Sequence, residues 1–515
     1  MKTKQIIFLF TCLFFLKSQA QKMSIDNVYK VQLQNSGAIK EAKEVKGYFF
    51  FYVSDKIDKK TNEYTLKITD AKLNKLKDIK FEDNKDISIL ESSFNGKDLI
   101  FLFYNSKERT FEYQVYGANG VKKHTYTREL SKKEKRFLEQ TYMALADDED
   151  TFSGLYPIED KGFISNTPSR EDKDYTFEID FYSSAEKKEW SYIPTVGGKK
   201  FIGDYLGTYN NVVYLEVLRY GSLMDQKPES NIVGLDLQTG KELFEKPTDG
   251  KYRMYPSSLN ILKDGVAYVF GEYFEADGNI MKDKSRGFAF WQIDEKGKIL
   301  AEKYASWEDD FSKFLNVTSK GKIDDFGFMF LHSMMQTADG SIYAVGEGFK
   351  KVASGLGIAA NILGGGRSNM SVAKMNVTDM VLIKFDQNFK LKDATIFEKN
   401  TNKFEMQSGM EYVSTALIGK MIKYQWGRFD YKYSQINKAG TSFNICYEDY
   451  VRGKGYKGST FNSISYNEGK ITTDKINTKS DASKSAVLQG AQGQVLIMEY
   501  YKKTKILELH FEKLN

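Results

Sequence analysis

At 515 residues the chain is long enough to bury a large core, and its 75 Lys and Arg against 69 Asp and Glu give a formal charge of only +6. A balance so close to neutral argues against a nucleic-acid binder. Aromatic residues at 14% and only six prolines fit a chain of many short strands and turns.

At the amino terminus, Lys2 and Lys4 precede the apolar run "IIFLFTCLFFL" (Ile6–Leu16), and "KSQA" follows with Ser18 and Ala20 in small-x-small spacing. The run is about eleven residues, against the roughly twenty that a membrane-crossing helix needs. Residues 1–20 are therefore expected to be a cleaved signal peptide rather than an anchor, and the protein is expected to be exported. Cys12 lies inside the run, which argues against a lipoprotein. Cleavage after Ala20 removes Lys2, Lys4 and Lys17 and no acid, leaving 72 basic and 69 acidic residues, or +3. Whole-molecule attraction to nucleic acid or an anionic membrane then has no basis. Cys446 is left alone, so no internal disulfide can form. No second apolar run follows, so no transmembrane segment is expected after cleavage.

From residue 21 onward one all-β domain is expected. A turn leading into an apolar strand recurs as "KGYFFFYV" at Lys46, "NGKDLIFLF" at Asn95, "NNVVYLEV" at Asn210, "DGVAYVFG" at Asp264 and "DGSIYAVG" at Asp339. A second unit, strand–polar turn–strand, follows as "GLDLQTGKELFEK" at Gly234, "FWQIDEKGKILAEKY" at Phe290, "LIKFDQNFKLKDATIFEK" at Leu382 and "SQINKAGTSFNICYED" at Ser434. The pair recurs roughly every 50 to 75 residues, which is how a β-propeller is built. The count gives about seven blades, with six or eight also fitting; the competing architecture is two β-sandwiches. "DNVYKVQL" (Asp26–Leu33) reads as an orphan strand that joins the final pair "QVLIMEYYKKTKILELHFEKL" and closes the ring. "TFEIDF" (Thr176–Phe181) and "LELHFE" (Leu507–Glu512) alternate apolar with charged residues, as strands with one wet face do. Two insertions interrupt the pattern. Residues 131–147 read as a surface helix with Ser131 and Glu134 as a capping box, and 352–375 as a Gly-rich insertion. Within the latter, Gly355–Leu363 reads as a short apolar helix ended by Gly364–Gly366. It either plugs the central channel or forms an exposed lid for a partner.

"GLDLQTGKELF" resembles the repeat of quinone-binding-type propellers, with Phe244 where those repeats favour Trp. In style the whole chain is similar to exported β-propeller proteins of Gram-negative bacterial envelopes. That resemblance implies an envelope location and carries no functional residue across.

Catalytic and metal signatures are scarce. His124, His332 and His510 have no second His or Cys at ligand spacing, so no metal centre is expected. No G-x-S-x-G elbow is present, and no catalytic residue is assigned. Gly355, Gly357 and Ala360 match G-x-G-x-x-A, but Asp379 begins its strand instead of ending it, so no dinucleotide or other cofactor is expected. In "WEDDF", Trp307 beside Glu308, Asp309 and Asp310 suggests an aromatic platform with carboxylates, as glycoside cleavage requires. "EADGN" (Glu275–Asn279) reads as a turn rather than a calcium loop.

"YEDYVRGKGYKGS" interleaves Tyr450 and Tyr456 with Arg452, Lys454 and Lys457, a loop suited to a glycan, a peptide or an acidic patch. Arg367 is the first charge after the Gly-rich run. Together these residues are the expected contacts of a non-enzymatic binding platform for an envelope protein or glycan. The alternative is a secreted carbohydrate-active enzyme using acids near the channel mouth. The sequence does not fix the oligomeric state.

Overall fold

A computed structural model describes residues 22–514 apart from 42–43, 86, 106, 133–153, 172–173, 195–198, 223–224, 226, 263–264, 356–369, 408–409 and 453–456. Its strands form eight sheets, seven with four strands and one with five, and the chain is an eight-bladed β-propeller. In seven blades the strands follow in chain order. The eighth takes three strands from the carboxyl end and its outer strand from the amino end. Lys22–Ile25 pairs antiparallel with Ile506–Lys513, from Lys22 opposite His510 to Ile25 opposite Leu507. The expected ring closure is present, but through Lys22–Ile25 rather than Asp26–Leu33. Asn27 has φ 60 and breaks the extended run, and the Val28 N–H donates to the Lys505 carbonyl, turning the chain into the inner strand of blade 1 (Lys30–Glu41).

The blades hold one another through aromatic side chains on their second and third strands. Phe51 of blade 1 meets Phe101 and Phe103 of blade 2 at 4.9 and 5.7 Å between ring centroids. Tyr113 of blade 2 stacks on Tyr182 of blade 3 at 4.1 Å, and Tyr343 of blade 6 meets Phe443 of blade 7 at 5.0 Å. Each such ring is buried, which stabilises the ring of blades by roughly 1.5–3 kcal/mol per side chain.

The recurring turns have a common construction. Asp70 and Asp236 end third strands and Asp294 and Asp386 directly follow theirs, and each carboxylate accepts two backbone N–H bonds from the turn. In the Asp236 turn Gly240 has φ 70, and a Cβ there would lie 2.6 Å from the Trp190 ring of blade 3. The "SQINKAGTSFNICYED" stretch departs from expectation: it joins the first and second strands of blade 7 (Tyr431–Ile436 and Ser442–Arg452), not a third and fourth. An Asn437 turn accepting from Thr441 and Ser442 imitates the Asp turns, and that imitation contributed to the undercount of blades.

"TFEIDF" also departs. Glu178 and Asp180 are both buried, Glu178 against Arg128 of blade 2 and Asp180 accepting from Ser191 Oγ at 2.6 Å. The face expected to be wet is the seam between blades 2 and 3. Nearly all of the helical insertion 131–147 lies outside the described residues. Of the 352–375 insertion, 356–369 lie outside the described residues; its two flanks extend a long strand pair, Ile342–Ala353 with Met370–Phe385, beyond the body of blade 6, and Asn402–Gln407 adds a fifth strand.

Because successive strands reverse direction, turns between first and second and between third and fourth strands share one end of the ring. None of these exceeds five residues. The other connectors share the opposite end. They include 130–154, 221–228, 275–286, 307–327, 354–369 and 398–430, so every long connector lies there. Among the described residues, no helix is long and apolar enough to cross a membrane.

Candidate functional site

The connector 398–430 builds the most elaborate part of that end. Ser414 caps helix α1 (Thr415–Lys420): its hydroxyl accepts from the Leu417 N–H, donates to the Ile280 carbonyl at 2.6 Å, and its N–H bonds the Met281 carbonyl. A π-helical turn, Met421–Gln425, continues it. Leu417, Ile418, Met421 and Ile422 pack onto Leu218, Tyr255, Phe330 and Phe349 of blades 4, 5 and 6. Lys420 reaches Asp204 on the inner strand of blade 4 (Lys200–Tyr209), and the Tyr424 hydroxyl donates to Ser257 on that of blade 5 (Arg253–Ile261). This helix lies across the inner strands; Gly355–Leu363, read from the sequence as a short apolar helix, falls almost entirely outside the described residues.

Two buried charge clusters fasten the connector. In the first, Lys420 Nζ is 2.9 Å from Asp204 Oδ2, 3.3 Å from Glu216 Oε2 and 3.9 Å from the centre of the Tyr255 ring. Burial pushes the Glu216 carboxyl up to about 8 against the pull of the lysine, while the two acids hold Lys420 above its usual range. One cation thus faces two acids, and the Glu216 carboxyl is the one that burial keeps protonated at neutral pH.

In the second cluster, Lys399 Nζ lies 3.1 Å from Glu347 Oε1 and 2.5 Å from Asp430 Oδ2. The Glu347 carboxylate also accepts from the Asp430 and Tyr431 N–H groups at 3.1–3.2 Å. Burial, then the nearby Glu347 carboxylate, pushes Asp430 up to about 7. His332 stacks on Tyr431 at 4.5 Å with its Nε2 3.3 Å from Glu347 Oε2. Burial, then Lys423 and Lys399, hold its imidazole well below the usual range, so the ring is neutral. The side chains of His332, Glu347 and Lys399 are fully excluded from solvent. Acid–base groups so enclosed meet no substrate; they bind the connector to the blades.

The residues singled out from the sequence divide as follows. Tyr450 is 41% exposed and Lys457 is exposed, and both lie on the second-to-third hairpin of blade 7 at the connector end. Arg452 pairs with Lys457 in backbone register, but its side chain lies outside the described residues, as do Lys454, Tyr456 and Arg367. The expected sugar platform is absent at Trp307: the ring is 2% exposed, packs on Phe288 and Phe311, and its Nε1 donates to Ser285 Oγ. Glu308 faces Arg286, and Asp310 accepts from the Ser306 N–H, so these acids organise a turn. Glu275–Asn279 begins the 275–286 connector, with a Gly278-to-Glu275 backbone bond. A recess of about 440 Å³ between blades 3 and 4 includes Tyr192, Phe201, Arg219 and Glu229 in its lining. Its cations are matched, Lys199 to Glu229 and Arg219 to Glu229 and Glu245.

Sequence reasoning missed α1, Lys399, Lys420 and their acids. Ser414 before "TALIGKMIKY" was a readable cap, and Glu272 and Glu347 follow Gly in otherwise apolar strands, as "FGEYF" and "VGEGF".

A family model described as "Family of unknown function (DUF6770)" matches residues 1–515. No curated protein matches. Among solved structures, the chain is similar to quinohemoprotein alcohol dehydrogenase ADHIIG from Pseudomonas putida HK5, at 10% identity and TM-score 0.40, over 95% of this chain and 77% of that one. It is similar to the WD40 domain of SCAP from fission yeast, at 8% identity and TM-score 0.34, over 95% and 98%. A post-proline cleaving enzyme from Rickettsia typhi matches at 9% identity and TM-score 0.40, over 92% and 58%. Likenesses at this level carry no functional argument.

Proposed function

The chain belongs to the DUF6770 family over its whole length, and from that premise we propose that it is an exported, non-catalytic β-propeller serving as a protein-binding platform in the cell envelope. The observation that carries this reading is the segregation of every long connector to one end of the ring. Evolving loops on a rigid scaffold is how binding surfaces are made. Tyr412, 78% exposed in the 398–430 connector, and Tyr450 present aromatic faces at that end, the side-chain type that anchors interfaces. The buried Lys420 and Lys399 clusters support the same reading, because they hold the connector rigid and reduce the entropy lost on binding. Export rests on Lys2, Lys4, the Ile6–Leu16 run and Ala20. A protein partner suits the surface better than a glycan, since the connectors of several blades contribute to it.

The test is affinity purification, after cross-linking, of the full chain with a carboxyl-terminal tag expressed in the native host, so that residues 1–20 can direct export. It is run beside a variant with Tyr412→Ala and residues 356–369 replaced by a short Gly-Ser linker, which spares the paired strands. A defined protein retained by the parent and lost by the equally stable variant supports the platform. Identical recovery by both overturns it.

A further inference from the structure

The same end of the ring carries a second, differently built surface. The second-to-third turns of blades 8, 1 and 2, and the links from blade 8 to blade 1 and from blade 1 to blade 2, are short there and rich in lysine: Lys502, Lys503 and Lys505 in the turn of blade 8, Lys56, Lys59 and Lys60 at that of blade 1, Lys85 entering blade 2, and Lys107 in its turn. They form a continuous strip through the backbone. The Val28 N–H bonds the Lys505 carbonyl, the Tyr29 N–H bonds the Val53 carbonyl, and the Lys85 N–H bonds the Lys60 carbonyl, at 2.7–2.8 Å.

Among the described residues, the ammonium groups of Lys56, Lys59, Lys85, Lys502 and Lys503 form no ion pair within 4.0 Å, while Lys60 interacts with Asp58. Two exposed acids stand at the blade 1 tip: Asp58 accepts from the Lys60 and Thr61 N–H groups and Asp55 from the Lys56 N–H, so the lysines there outnumber the acids by one. Two apolar groups stand among these cations. Ile57, at the tip of the blade 1 turn, is 47% exposed, and Tyr29 is 39% exposed with Lys505 Nζ 4.8 Å from its ring centre.

We propose that this strip docks the propeller on the surface of a bilayer containing anionic phospholipid. The overall charge is too low to draw the whole molecule to a membrane, but the local excess of lysine is not. Three features favour a bilayer over an acidic protein or a nucleic acid. The cations are lysines, point charges suited to a diffuse headgroup layer rather than to bidentate recognition of one phosphate or carboxylate. They lie in turns of one end of neighbouring blades, so a flat surface meets them together. An exposed isoleucine and an amphipathic tyrosine among them match the interfacial pattern, with the apolar group entering the headgroup boundary and cations around it. With blades 8, 1 and 2 against the bilayer, the long connectors of blades 4 to 6 are left for the partner. The docking surface stands independently of that partner.

The test uses residues 21–515, which hold every strand of the closed ring and lack the apolar run, in co-sedimentation with vesicles. The vesicles carry about 30 mol% phosphatidylglycerol in phosphatidylcholine, or phosphatidylcholine alone, at about 50 mM salt. The expected result is binding only to the anionic vesicles, weakened at least about tenfold by Lys59→Glu with Lys60→Glu and roughly threefold by Ile57→Ser. Lys72→Glu with Lys97→Glu, in turns at the opposite end of blades 1 and 2, leaves binding unchanged. Thermal unfolding confirms that each variant is folded. Absence of sedimentation, equal loss in the opposite-end pair, or tighter binding to a short DNA duplex at the same salt overturns the proposal.

Discussion

Replacing Lys420 by Met tests whether buried charge fastens the 398–430 connector. The substitution keeps a similar volume and removes the ammonium that serves Asp204 at 2.9 Å, Glu216 at 3.3 Å and the Tyr255 ring. At pH 7 Glu216, pushed up to about 8, already holds a proton. The loss is then one charged hydrogen bond and one cation–π contact, about 2–3 kcal/mol. Above about pH 8 the parent gives up that proton because the lysine steadies the carboxylate. The variant keeps it, since burial acts unopposed, and the cost grows by about 1.4 kcal/mol per pH unit. At pH 9.5 the penalty is therefore about 4–5 kcal/mol, approaching that of a broken buried ion pair. Equilibrium urea denaturation at pH 7 and pH 9.5 reads both values, and adding Glu216→Gln to Lys420→Met removes the pH-dependent part. A penalty that does not change between the two pH values, or one below about 1 kcal/mol at both, refutes the reasoning.

The parent protein itself is expected to lose stability as pH rises from about 5 to 8. Burial raises Glu216 to about 8 and Glu272 to about 7, so the folded state holds these protons more tightly than the unfolded chain. Their contribution is complete below the usual carboxylate range and lost as pH passes 7–8; Glu216→Gln flattens the curve, measured by melting temperature against pH. Gly240→Ala forces a side chain into a left-handed turn and onto the Trp190 ring, costing about 1–3 kcal/mol in urea denaturation. Trp307→Ala empties a core site and costs about 3–5 kcal/mol, while binding of soluble glycans, measured by calorimetry, does not change.

Turn chemistry made the fold legible. Asp-led turns announce blades 4, 5 and 6, helped by Gly-marked entries into the apolar strands of blades 5 and 6 and by Asn210–Asn211 in blade 4, and "NGKDLIFLF" announces blade 2. Blade 3 was harder to see because Asp160, not glycine, takes the positive φ of its first turn, and because Glu178 and Asp180 look like a solvent face. Their burial depends on Arg128, some fifty residues earlier, so no local pattern reveals it. The closing strand was misplaced by a few residues because Asn27 breaks an otherwise even alternation. The candidate site was less legible. Tyr450 and Lys457 do lie on the connector end, but Trp307 and its neighbours looked like a sugar platform only until tertiary packing buried the ring. Glu216 pairs with Lys420, 204 residues away, and such a partnership leaves no signal in spacing.

The platform reading stands or falls on which end of the ring meets the partner. Site-specific photo-cross-linking in the native host measures this, with p-benzoylphenylalanine placed at Tyr412 or Tyr450 on the connector end, or at Asn119 in a turn of the opposite end. The account predicts one discrete adduct, of the same partner, from both connector-end positions and none from Asn119. Adducts from Asn119 alone, or none from Tyr412 and Tyr450 while the protein is folded and exported, would contradict it.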